Sequence, residues 1–214
     1  FETDLDALLA GDPARGIQPA TDPERAALLR DVTQRAGGFT ASARQVVMGD
    51  YHAVPLQLIV ERDVVLSDSL WRGRALSYSG EGAQPAGSGL AVLMLQQQRA
   101  RVQTFIRDMC YRRLSLGPAG LQERLEAEMA TFVAVNTRLI EGDPATGLPK
   151  APSIHIKIGL GKISSKWISF SALLLPKGDP TQQDVRDVEL ASLQGATMMR
   201  MLQELIDRYD ALEE

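Results

Sequence analysis

The chain has 214 residues, of which 44% are apolar, 23% charged and 5% aromatic, and its formal charge is −4. That length holds one or two domains with buried cores, and the acidic balance argues against a broad nucleic-acid surface. One cysteine excludes an internal disulfide framework and a cysteine-based zinc site, and no apolar run reaches the roughly 18 residues that a membrane span needs.

The opening stretch, FETDLDALLAGDPARGIQPA, returns in altered form as FVAVNTRLIEGDPATGLPKA from Phe132, 131 residues later. At that offset Leu8 falls on Leu139, Gly11-Asp12-Pro13 on Gly142-Asp143-Pro144, Ala14 and Gly16 on Ala145 and Gly147, and Ala20 on Ala151. Leu29 with Leu160, Phe39 with Phe170, Ala41 with Ala172 and Tyr78 with Tyr209 extend the series, while Gly49-Asp50 fits Gly178-Asp179 at an offset of 129. A collinear series of this kind predicts two copies of one module.

Few aromatics and many Leu, Ala, Gln and Arg favour helix over sheet. In chain order, Gly11 ends a first helix by taking a positive φ, and Pro13 prevents its continuation. The next helix opens at TDPERAALL, with Thr21 or Asp22 as cap and Pro23 in the first turn. Another runs from near Tyr51 to Tyr78, and SGEGAQPAGSG, between Tyr78 and Leu90, is a flexible joint. Beyond it lie a helix from near Leu90 to Arg113 and a further helix, GPAGLQERLEAEMATFVAVNTRLIEG, with Leu121, Leu125, Met129 and Phe132 in step. SIHIKIGLGK alternates like a strand, but Ile156, Leu160, Ile163, Trp167 and Phe170 form a helical seam, and helix is the reading taken. Gly159 and Gly161 weaken that helix by about 1 kcal/mol each. The last helix starts at Asp179-Pro180 and carries Val185, Val188, Leu202, Leu205 and Tyr209. The expected fold is all-α: two tandem antiparallel bundles of the four-helix type, residues 1–85 and 86–214. The first lacks its first helix, which is expected to precede Phe1.

The helix LAVLMLQQQRARVQTFIRDMCYRRL carries the most informative residue. Its stripe reads Val92, Leu95, Val102, Ile106 and Met109, and Arg99 occupies the seam position between Leu95 and Val102. A guanidinium keeps its proton, so burying it unpaired costs several kcal/mol. Arg99 therefore snorkels to solvent or bridges a carboxylate, or else it meets a bound anion or a protein interface. Other features are plainer. GLGKISS lacks the opening glycine of a phosphate loop, and GEGAQPAGSG lacks dinucleotide spacing. His52 and His155 have no acidic neighbours at metal-ligand spacing. Cys110 follows Met109 as a semi-buried core thiol, and Met198, Met199 and Met201 read as packing. Glu123, Glu126, Glu128, Glu204 and Asp207 read as solvated faces. No nucleophile–base–orienter set emerges, so the chain does not read as an enzyme, and no cofactor or metal is expected.

QQRARVQTFIRD resembles a degenerate form of the helix-one motif of PilJ-type sensor domains, found in type IV pili methyl-accepting chemotaxis transducers and in nitrate/nitrite sensor kinases. That motif reads Gly-Arg-Gln-Arg-Met-Leu-x-Gln-Arg. Gln98, Arg99 and Gln103 match it, whereas Gln97, Ala100, Arg101 and Thr104 depart from it. The GDP…GLP loop followed by Trp167 and Phe170 is similar to the family's W-x-x-F second helix, with Ala36 replacing the Trp in the first copy. The resemblance implies an extracytoplasmic, periplasmic four-helix sensor that forms a homodimer and binds a small anion such as nitrate or nitrite. It also implies membrane anchoring outside this stretch. Carried over, the ligand contact falls on Arg99, with Gln98 and Gln103 as secondary contacts. The rival expectation is a helical protein-interaction module that recognises a pilus subunit or periplasmic partner without a small ligand. A third is a cytosolic helical adaptor.

Overall fold

The computed structural model describes residues 2–49, 56–63, 65, 66, 87–175, 181 and 184–212. Regular structure among them is helical, apart from two isolated backbone bridges. The chain divides into two compact units, residues 1–83 and 84–214. No helix of the described residues is long and apolar enough to cross a membrane.

The first unit contains α1 (Glu2–Ala10), a single 3₁₀ turn (Pro13–Arg15), α2 (Pro23–Val47) and helical residues 56–63, 65 and 66. Its small core joins Leu5, Val32, Ala36 and Leu66, with Leu29 and Phe39 packed against them. Arg62 ties the third helical stretch to α2 by donating to the Gly38 carbonyl at 2.7 Å and to the Ser42 hydroxyl. The rest of the helix expected from Tyr51 to Tyr78, and the joint up to residue 86, lie outside the described residues.

The second unit contains α3 (Ser88–Arg113), α4 (Leu121–Glu141), α5 (Ile154–Leu174) and α6 (Val185–Asp210). Helices α3 and α5 each pack against both α4 and α6, so the four close around one core, and the α3–α6 contact is the most extensive. Four aromatic rings fasten three of the helices together. Phe132 of α4 stacks on Trp167 of α5 with centroids 4.3 Å apart, and Phe105 of α3 tilts against Trp167 at 5.4 Å. Phe170 packs edge-on to Trp167. SIHIKIGLGK is helical: Ile156, Leu160 and Ile163 are buried with Trp167 and Phe170, while Ile154 and Ile158 are exposed. A 3.6-residue seam buries all five core positions, whereas the alternating pattern would have turned half of them outward. The last helix begins at Val185, where the Asp184 carboxylate accepts from the Arg186 N–H at 2.9 Å; Asp179 and Pro180 lie outside the described residues.

The repeated stretch folds the same way twice. The Asp12 N–H donates to the Ile17 carbonyl at 2.8 Å, and the Asp143 N–H donates to the Leu148 carbonyl at 2.8 Å. The Ile17 and Leu148 N–H groups return bonds to Asp12 and Asp143 at 2.9 and 3.0 Å, closing equivalent bridges. Both aspartates also accept, through Oδ1, from the N–H two residues on. Ala20 and Ala151 donate back to Leu9 and Ile140 at 3.3 and 3.4 Å. Asp22 and Ser153, again 131 apart, cap α2 and α5. The cation beside each loop aspartate comes from a different position. Arg15 of the loop meets Asp12 at 2.6 Å, whereas Arg138 of α4 meets Asp143 at 2.7 Å. These partly exposed pairs contribute little by themselves, and the backbone pattern is what is shared.

Glycine is required where the loop leaves the helix. Gly142 has φ +79° and ψ 169°, outside the left-handed helical region and open essentially to glycine alone. A Cβ there would lie 2.8 Å from the Lys150 nitrogen and 3.1 Å from the Leu148 carbonyl oxygen. Gly147 also has positive φ, +74°, but faces open space. Gly147→Ala is therefore expected to cost about 1 kcal/mol, from backbone strain alone. Gly142→Ala should cost about 3 kcal/mol, because strain and a backbone clash combine. Urea denaturation of the two variants measures the difference, and equal costs would show that the clash is relieved without penalty.

Candidate functional site

On α3 the fully buried positions are Leu95, Gln98, Val102 and Phe105, with Ala91 and Met109 at 1% exposure. The core line therefore passes through Gln98, and Arg99 sits beside it, half-buried, on the flank facing α6. Its Nη1 donates to the Gln203 Oε1 of α6, and the Gln203 amide donates in turn to an Asp207 carboxylate oxygen at 2.6 Å. The Arg99 Nε is buried and has no hydrogen-bond partner among the described residues. The contact partner is thus a neutral amide, and among the described residues no carboxylate pairs with this guanidinium directly. Of the alternatives open to Arg99, a direct ion pair within the described chain is the one the geometry removes.

The two residues singled out with Arg99 are not brought together with it. Gln98 points into the core towards α4, donating to the Phe132 carbonyl at 2.8 Å and accepting from the Arg101 Nη1 at 3.1 Å. At 0% exposure it offers no surface to a dissolved ligand. Gln103 is exposed on another face of α3. Of the stripe Val92, Leu95, Val102, Ile106 and Met109, the structure buries Leu95, Val102 and Met109 in the core, whereas the seam position between Leu95 and Val102 belongs to Gln98 and not to Arg99. The physical reason is that a buried polar residue, Gln98, interrupts the apolar signal on the true core line, while Ile106 and Val92 extend it on the flank.

Two other buried polar groups carry no sequence pattern. Asp108, 2% exposed, is held by Arg107 at 2.7 Å and Arg124 at 3.5 Å. Asn136, the counterpart of Leu5 at the repeat offset, donates to the Leu160 carbonyl at 3.3 Å and the Ser164 hydroxyl at 2.6 Å. Both cross-brace helices. Cys110 is half-buried, and burial pushes its thiol above the usual range, with the Arg113 charge opposing; this is the environment of an unreactive thiol. Among the described residues no group of His, Cys, Asp and Glu could hold a metal ion. His155 is exposed on α5, and His52 lies outside the described residues. A cavity of about 440 Å³ in the first unit, between α2 and helical residues 56–63 and 65, is lined by charges already engaged: Arg35 grips both oxygens of Asp31 at 2.8 Å, and Arg62 is bonded as above.

The two neighbours on α3 separate structural from binding roles. Gln98→Ala removes a buried bond and leaves a cavity, and should cost about 2 kcal/mol. Arg99→Ala should cost less than about 1 kcal/mol, since a single amide contact at a half-buried edge is lost. Denaturant titration checks the order; an Arg99→Ala cost above that of Gln98→Ala would make Arg99 a structural cross-link.

No family model matches the chain, and no curated protein or solved structure matches it, so its function has to be sought in its own residues.

Proposed function

We propose that this chain is the ligand-sensing region of a transmembrane signal-transduction receptor, a chemoreceptor or sensor kinase, made of two tandem helical bundles of the PilJ type. In this reading it faces the periplasm, pairs as a homodimer and binds a small anion such as nitrate or nitrite. The role is binding, not catalysis. The observation that carries it is Arg99: a half-buried guanidinium in the α3–α6 seam whose only bonded partner among the described residues is a neutral amide. Such a charge is poorly compensated, and a planar oxyanion can accept paired hydrogen bonds from it. The recurrence of one loop geometry at an offset of 131 residues supports the tandem arrangement. Signalling would follow from population shift: an anion shared by Arg99 of two protomers favours one placement of α3 against α6 over another.

A second reading, a helical protein-interaction module without a small ligand, has one observation in its favour. The outer face of α5 exposes Ile154 at 63%, Ile158 at 49% and Ile168 at 72%. A helix apolar on both faces is one whose outer side suits burial against a protein.

Thermal-shift measurements with nitrate, nitrite and small carboxylates at millimolar concentration distinguish the two. Ligand sensing predicts a rise of several degrees for at least one anion, as a ligand at 100 times its Kd stabilises by about 2.7 kcal/mol. The rise should vanish in Arg99→Ala. No rise with any of these anions, or a rise that survives Arg99→Ala, would refute the assignment to Arg99.

A further inference from the structure

Between α5 and α6 lies a groove of about 380 Å³, within the size range of small-molecule sites. Its walls carry His155 and Lys162 from α5 and Arg200 and Arg208 from α6. Among the described residues, none of these four side chains has an ion-pair or hydrogen-bond partner. The one carboxylate on the wall, Glu204, is unpaired as well. In a chain of net charge −4, three permanent cations facing one carboxylate reverse the local sign. Like charges gathered on one concave wall repel each other and attract anions.

The register of the two helices sorts these four basic side chains into two pairs. Helices α5 and α6 run antiparallel. Gly159 lies against Leu205, where a Cβ would meet the leucine Cδ2 at 2.7 Å, and the Ser169 hydroxyl donates to Gln194 at 3.1 Å. That register sets Arg208 across from His155 and Arg200 across from Lys162. His155 and Lys162 are seven residues apart, which is about 10 Å along a helix axis at about 1.5 Å per residue. The floor between the pairs is apolar: Leu205 is 3% exposed, and Met201 lies beside it, half-buried. Glu204 stands on the wall between Arg200 and Arg208, one turn from each.

We infer that this groove binds an elongated dianion, an α,ω-dicarboxylate of roughly six to eight carbons, the length that spans the two pairs of basic side chains. One carboxylate sits between His155 and Arg208, the other between Lys162 and Arg200, and the methylene chain covers Leu205 and Met201. Glu204 faces the middle of the ligand and repels any central carboxylate, so the site discriminates against tricarboxylates. The inference uses none of the residues around Arg99 and stands or falls separately from the sensing role assigned there.

Isothermal titration of the 214-residue chain with suberate tests it. Binding should saturate at one equivalent, and Lys162→Gln and Arg208→Gln should each weaken it about tenfold, as loss of a charge-assisted contact does. These side chains make no bond within the described chain, so the variants should fold, and circular dichroism checks that they do. Arg186→Gln, in the first turn of α6 and away from the groove, should bind as the parent does, and so should Arg99→Ala. Citrate should bind at least tenfold more weakly than suberate. Absence of saturable suberate binding, or binding unchanged in the Lys162→Gln/Arg208→Gln double variant, would overturn the assignment. Binding lost in Arg99→Ala but kept in the double variant would place the anion at Arg99 and likewise overturn it.

Discussion

Helix α6 is held from two sides by close approaches that a missing Cβ makes possible. On the α3 side, a Cβ at Gly195 would lie 2.4 Å from the Ile106 Cδ1 and 3.4 Å from the Val102 Cγ1. On the α5 side the missing atom is on the partner helix, at Gly159, where Leu205 of α6 fills the space. Each glycine costs its helix about 1 kcal/mol in propensity. The return is closer van der Waals packing, which any larger residue would forfeit or have to buy back by moving a neighbour. The Arg99–Gln203 contact lies along the α3–α6 approach, and the four basic side chains of α5 and α6 line a groove along the α5–α6 approach.

Legibility differed by the physics behind each feature. The Gly-Asp-Pro loop was plain in the sequence because its geometry admits few residues. Positive φ demands glycine, the bridge needs a side chain that bonds back to its own backbone, and proline ends the helix. Those demands are local, so both copies satisfy them at one fixed offset. The seam of α5 was legible for a related reason: five large apolar residues at helical spacing can be buried together in only one conformation. By contrast, Phe105 and Phe132 gave no sign of meeting Trp167, because ring contacts between helices depend on which helices become neighbours.

The placing of Arg99 on the α3 seam has a more specific cause. Periodicity assumes that core positions are apolar, and Gln98 breaks the assumption. It is fully buried because the Phe132 carbonyl and Arg101 satisfy its amide, and Arg101 is itself anchored by Glu128 at 3.0 Å. A buried polar group that is fully bonded costs little and fixes the pairing of α3 with α4. Asn136, at the repeat position of Leu5, is likewise polar and buried; its amide N–H groups are bonded, while its Oδ1 has no partner among the described residues. Buried hydrogen bonds of this kind are decided by geometry across helices, which no single-helix pattern contains. Gly159 and Gly161 make the same point in reverse. Both look like weak spots in α5, yet Gly159 is a packing site and Gly161 faces open space.

Charge was equally hard to read along the chain, since a net value of −4 averages over faces that never meet. Helix α5 carries His155, Lys157, Lys162 and Lys166 and no acidic residue at all. Of the acids of α6, Glu204 alone lines the groove, while Asp207 is tied to Gln203, on the side of Arg99. Gln203 and Glu204 are consecutive, so α6 turns one polar residue towards each of its neighbours. The Arg99 seam and the cationic groove therefore lie on opposite flanks of one rigid helix. Rotation of α6 about its own axis would carry Gln203 and Glu204 in the same angular sense, opening one flank as it closes the other. The two glycine approaches oppose such a rotation, because it would drive Gly195 away from Ile106 and Leu205 away from Gly159 together. An anion on either flank would then be working against the same packing contacts, and the stiffness of that packing sets how much binding energy a change in α6 can absorb.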